Sequence, residues 1–254
     1  MSFLPEVDRT LHPRELEPDW LVAGDGVALI EVSLEEFRAS FDAEALLTEA
    51  ELAAARRRPP RVARRFSGAR AAQRLVLGRL VGREPRTLEF TRGPHGKPYL
   101  PATDRLAFNQ ADSDDDVLLG VRRLAPGAAP EEAELGVDLE HVRDWPDLEE
   151  LAASVFTEHE NVWRTVGDDT ERRRRFFRLW TAKEAFIKAT GEGLYRPLLG
   201  FRVELDSPAA VHRLTPEGEL LGPQIVELET TAERCASACA LDGAVRWTRW
   251  RLSS

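Results

Sequence analysis

The stretch FFRLWTAKEAFIKATGEGL, residues 176–194, decides how the rest of the chain is read. Phe176, Trp180 and Ile187 recur at helical spacing as an apolar stripe, and Lys183 falls on that same stripe. Phe177, Thr181, Glu184 and Lys188 form the adjoining one. A charge on or beside a buried stripe is costly unless it is partnered, so these positions point to a cleft rather than to solvent. Read locally, Glu184 and Lys188 are also an ordinary i,i+4 pair on a helix that Gly191 and Gly193 cap. The spacing predicts a long helix over residues 170–190.

Working outward, ELGVDLE (134–140) predicts a strand. Asp138 and Glu140 are two apart, so both carboxylates leave one face while Val137 and Leu139 leave the other. Two acids on one face repel unless a cation lies between them. Such oxygen ligands suit Mg²⁺, which takes one or two protein carboxylates and completes its shell with water and substrate phosphate. The competing reading is the solvent face of an edge strand. The residues by themselves therefore describe a candidate cation site beside a glutamate and lysine face, compatible with phosphate chemistry.

Before that strand, LAPGAAPEEAE (124–134) reads as a linker and sets a domain boundary, giving halves 1–130 and 131–254. The first half reads as a strand at 27–33, helices at 48–57 and 61–81 parted by Pro59 and Pro60, and strands at 87–91, 105–108 and from Asp116. The second reads as the strand at 134–140, helices at 147–166 and 170–190, then strands at 201–205, 211–214, 224–230 and 244–252. The order of elements repeats in outline, which predicts an α+β fold of two similar halves sharing a cleft for a ligand.

The chain has 254 residues and a net charge of -9, which argues against a nucleic-acid partner. No apolar run approaches the ~20 residues of a membrane span. The start, MSFLPEVDRT, lacks the basic and apolar regions of a secretion signal, so a cytoplasmic protein is expected; a monomer is expected as well. Cys235 and Cys239 have no histidine near them in sequence and read as packed core thiols. Between Glu51 and Arg86 eleven arginines face two acids, a local excess that suits phosphates, an acidic protein or simply a solvated helix.

GVDLE, followed some forty residues later by WTAKEAFIKATGEGL, resembles the paired motifs of the 4′-phosphopantetheinyl transferases of the surfactin-synthetase-activating type. ARRFSGARAAQRLVLG (63–78), GKPYL (96–100) and FTEHE (156–160) are similar to further segments of that family. The resemblance implies a pseudodimer of two α+β halves, with coenzyme A and Mg²⁺ in the cleft between them. It implies that Asp138, Glu140 and Glu184 ligate Mg²⁺ and that Glu184 is general base for a serine of an apo acyl or peptidyl carrier protein. It further implies that Lys188 stabilises the phosphates and leaving group with Lys183 nearby, that Lys97, Arg74 and the arginines around Arg61 hold the nucleotide end, and that 3′,5′-ADP is released.

One segment departs from the family, whose Phe-Asn-x-Ser-His-Ser places a Ser-His pair on a coenzyme A phosphate. This chain has Phe108, Asn109, Gln110, Ala111, Asp112 and Ser113, so a methyl group and an anion replace a donor and a potential cation. The resemblance then leaves three outcomes: Asp112 points away, nearby arginines compensate, or the nucleotide is held weakly, with little discrimination between coenzyme A and its dephospho form. A diverged, transfer-inactive regulatory relative and a Mg²⁺-dependent phosphohydrolase are the rival readings.

Overall fold

The computed structural model describes residues 3–4, 9–21, 26–165, 167–193, 196–205, 209–215, 218–228, 233–241 and 245–253. Leu194, at the end of the quoted stretch, and Val166, the expected end of a helix, lie outside them. The chain is a mixture of helix and strand divided into two compact units, and it changes unit more than once. Val7–Thr91, Pro98–Glu132 and Arg246–Ser254 form the first, while Met1–Glu6, Arg92–Lys97 and Ala133–Val245 form the second. Strands and helices are numbered along the chain.

The first unit is built on a five-stranded sheet in the order β2 (Thr10–Leu11), β13 (Trp247–Leu252), β3 (Val27–Ser33), β7 (Asp116–Arg123), β6 (Leu106–Ser113). The final strand of the chain thus pairs in parallel with β3. Four helices follow β3: α1 (Leu34–Ser40), α2 (Ala43–Leu46), α3 (Glu49–Arg56) and α4 (Pro60–Val81). Thr48 and Glu51 cap α3 reciprocally, and Pro60 opens α4 at a position where its missing N–H costs nothing. The expected strand at 87–91 is a 3₁₀ turn, Pro85–Thr87, running into the two-residue β4 (Thr91–Arg92). Leu88 is buried in the core, and that burial accounts for the apolar pattern there. The GPHGKP turn leads into the short β5 (Pro98–Tyr99).

In the second unit the sheet order is β8 (Leu135–His141), β12 (Arg234–Ala240), β11 (Gly218–Leu228), β10 (Ala210–Thr215), β9 (Phe201–Glu204), and β1 (Phe3–Leu4) pairs with β11. Helix α6 (Asp169–Thr190) packs on this sheet, capped by Asp168, which accepts from the Thr170 and Glu171 amides. The expected helix at 147–166 is instead α5 (Leu148–Val155), an extended break at Phe156, and a 3₁₀ turn at Glu160–Thr165. Strand β12 carries both cysteines, buried as expected, and burial pushes each thiol up to about 12. Among the described residues no helix is long and apolar enough to cross a membrane.

Candidate active site

Strand β8 is an edge strand, as the rival reading supposed, but its acidic face meets α6 instead of solvent. Gly136 explains how. A Cβ there would sit 2.0 Å from the Ala185 carbonyl and 2.3 Å from the Ala189 amide, so helix and strand touch backbone to backbone at this point. Gly136, Asp138 and Glu140 share one face of the strand, and the close approach at Gly136 carries the two carboxylates up to the helix. The helix presents its Phe177, Thr181, Glu184, Lys188 stripe; Thr181 bonds Ser237 of β12 at 3.1 Å, which fixes its rotation over the sheet.

Asp138 is 5% exposed and accepts from Lys188 Nζ at 2.6 Å. Burial works against the charge on Lys188, yet Asp138, then Glu184 and Glu140, raise its pKa. The pKa of Glu184 is raised as well, by burial first and then by the like charges of Asp138 and Glu140, with Lys188 opposing. Glu140, at the outer end, lies 3.6 Å from Arg143. The structure therefore brings Asp138, Glu140, Glu184 and Lys188 into one electrostatic cluster. Among the described residues no three His, Cys, Asp or Glu side chains are gathered closely enough to hold a metal in this conformation. The donors are nonetheless all carboxylate oxygens, the kind Mg²⁺ takes, and the mutual repulsion that raises Glu184 is what a cation would relieve.

Lys183, expected near the phosphates, is in the core instead. It is 0% exposed and donates to both Glu160 oxygens, at 2.8 and 2.7 Å, and to the Phe201 carbonyl at 3.0 Å. Glu160 also accepts from the Thr157 amide and hydroxyl and from the Val203 amide. With these bonds filled, neither group is offered to a ligand. Burial lowers the pKa of Lys183, with Glu160 pulling the other way.

Arg74, expected at the nucleotide, is likewise withdrawn. It is 4% exposed and bonds Glu51 at 2.7 Å and the Pro85 and Leu88 carbonyls at 2.8 and 3.1 Å. Lys97 gives its ammonium to three backbone carbonyls, those of Leu135, Lys188 and Ala189. Burial pushes it down to about 8 against the pull of Glu134 and Cys239. Arg61 is exposed in the first turn of α4, and Asp112 projects outward from β6 between the buried Ala111 and Ser113. The acids after it are matched: Asp114 pairs with Arg65 and Asp115 with Arg38.

Glu160 is the residue that sequence reasoning missed as a partner. Its signal was the lysine on the apolar stripe, which had to find an acid somewhere in the core.

The comparisons fall on the same elements. The model of the 4′-phosphopantetheinyl transferase superfamily matches residues 134–239. The chain is 35% identical over 182 residues to 4′-phosphopantetheinyl transferase HetI of Nostoc sp., covering 70% of this chain and 73% of that one. It is 37% identical over 154 residues to the putative 4′-phosphopantetheinyl transferase slr0495 of Synechocystis sp., 59% of each. It is 28% identical over 163 residues to 4′-phosphopantetheinyl transferase Sfp of Bacillus subtilis, 61% of this chain and 68% of that one. With a strand and helix that carry the acidic cluster inside the matched region, and a relative at 35% identity over 73% of its length, this chain belongs to the 4′-phosphopantetheinyl transferase superfamily.

Proposed function

We propose that the protein transfers the 4′-phosphopantetheine of coenzyme A to a serine of an apo acyl or peptidyl carrier protein, releasing 3′,5′-ADP. The observation that carries this reading is the cluster of Asp138, Glu140 and Glu184 around Lys188 in a chain of this superfamily. Asp138, Glu140 and Glu184 would hold Mg²⁺, which when bound supplies charge neutralisation for a pyrophosphate. Lys188, raised in pKa, stays an ammonium at neutral pH and opposes the negative charge that grows on the leaving phosphate. Glu184 takes the serine proton. A cation relieves the repulsion that raises its pKa in the metal-free fold, so beside the metal it would act by its position next to the serine and not by unusual basicity. Exposed Arg61 is available to a nucleotide, and Asp112 offers a phosphate nothing, so we propose that a 3′-phosphate adds little to affinity. Competition between coenzyme A and its dephospho form checks this, and a strong preference for the former removes it.

The test of the whole reading is mass spectrometry of an apo carrier protein incubated with coenzyme A and Mg²⁺. A gain of the phosphopantetheine mass is expected, and its absence with several carriers favours the transfer-inactive regulatory reading. Glu184→Gln is expected to slow loading about 10²–10⁴-fold while leaving coenzyme A affinity nearly unchanged. Near-normal turnover removes Glu184 from the mechanism.

A further inference from the structure

Lys97, in the turn between β4 and β5, belongs to the second unit, and its ammonium donates to Lys188 O at 2.6 Å, Leu135 O at 2.9 Å and Ala189 O at 3.3 Å. Two of these carbonyls belong to the last turn of α6, where carbonyls lack a helical donor and where a cation also meets the negative end of the helix dipole. The third opens β8, three residues before Asp138. One ammonium thus ties the end of the helix bearing Glu184 and Lys188 to the start of the strand bearing Asp138 and Glu140. It does so beside Gly136, where no side chain separates the two backbones. Interlocking side chains are what ordinarily fix the register of a helix on a strand, and they are missing at this contact.

The lysine is itself held in place. The Gly93 amide donates to Lys97 O at 2.9 Å and the Gly96 amide to Gly93 O at 2.9 Å, closing the turn. Gly96 takes φ +87°, a left-handed conformation that favours glycine. Pro98 follows with its restricted φ. The sequence Gly-Lys-Pro therefore aims one side chain from a stiff turn.

We propose that Lys97 is a positioning residue, a clamp that sets how Glu184 and Lys188 of α6 meet Asp138 and Glu140 of β8. The inference rests on reading those four residues as the transfer site. A lysine bound to phosphate would show itself in coenzyme A binding; a clamp acts on the rate of the chemical step, because a misplacement of about 1 Å can cost about a hundredfold.

The experiment compares Lys97→Met with Arg178→Met, which breaks the part-buried pair between Arg178 of the same helix, α6, and Glu227 of β11 and serves as the control for lost stability. Carrier loading is measured for both and for the wild type, with amide hydrogen exchange of residues 135–138 and 185–191. For Lys97→Met, kcat is expected to fall about 10–100-fold with KM for coenzyme A within about twofold, and exchange at the helix end and strand start to quicken. Arg178→Met should keep kcat within about twofold. A raised KM at unchanged kcat identifies a ligand contact and overturns the clamp, as does equal loss in both variants or unaltered exchange. Failure of the wild type to load any carrier refutes the transfer reading instead, and the exchange data still decide whether the clamp exists.

Discussion

Helices α4 and α6 are both 22 residues long, both lie in α+β units and both stop at a left-handed glycine, yet they treat charge in opposite ways. In α4 the buried charge is Arg74, held by Glu51 and two carbonyls. Burial works to raise the pKa of Glu51, but the Thr48 amide and Arg74 hold it below the usual carboxylate range. Helix α6 contains one charge of this kind, Lys183, and one helical position further on it sets Glu184 against two more acids. A buried charge with complete partners is a structural device. A carboxylate whose pKa is raised by burial and then by like-charged neighbours is unfavourable for the apo fold, and its presence is explained by the chemistry it serves.

The largest effect that can break this comparison is on the structural side. Lys183→Met leaves Glu160 buried, with the Thr157 and Val203 donors still around it, and is expected to cost about 3–5 kcal/mol. In a chain of this size that lowers Tm by roughly 10 °C. Arg74→Met should act in the same direction by a smaller amount, since Glu51 is less deeply buried and can turn to water. Thermal unfolding of both checks the ranking. If Lys183→Met kept its Tm and lost carrier loading, Lys183 would belong to the site and the contrast between the two charges would fail.

Next in size is Gly136→Ala. The added methyl meets backbone atoms of α6 that cannot rotate away, so the helix must lift from β8 at a cost of about 1–3 kcal/mol. The same movement separates Glu184 and Lys188 from Asp138 and Glu140. Loss of loading beyond what the stability change accounts for is the expected outcome, and unchanged loading would show that the four groups need no close contact between strand and helix.

Most of this architecture is legible in the residues. The strand at 27–33, the helices ending at Arg56, Val81 and Thr190, and the strand bearing Asp138 and Glu140 follow from period and caps. What period does not reveal is partnership across the chain. RCASACA, the strand β12, alternates nothing and consists largely of small residues, so its strand character comes from pairing with β8 and β11. The break at Phe156 in the expected helix precedes a turn in which Thr157 donates to Glu160, and Glu160 turns inward to meet Lys183, 23 residues away. Lys97 and Arg74 carried the right charge for phosphate, and no local pattern tells a cation that binds a ligand from one that binds carbonyls of its own fold.

The smallest effect sharpens the other side of the contrast. The raised pKa of Glu184 means that the folded chain holds its proton more tightly than the unfolded chain, whose glutamate titrates near 4.5. The associated stability is fully present below that value and is lost as pH rises through the higher folded value. At neutral pH, without metal, the ionised carboxylate therefore works against the fold. Glu184→Gln removes that charge and is expected to be more stable than the wild type by about 0.5–2 kcal/mol at pH 7, although it should load a carrier far more slowly. The gap should close as pH falls through the region where the wild-type carboxylate takes up its proton. It should also narrow when Mg²⁺ is added, because only the wild type gains from neutralising that carboxylate. Paired melting curves at pH 4 and pH 7, with and without the metal, read all three. A variant less stable than the wild type at pH 7 would mean that Glu184 is held as comfortably as Lys183, and the distinction between a structural and a catalytic charge on this helix would be lost.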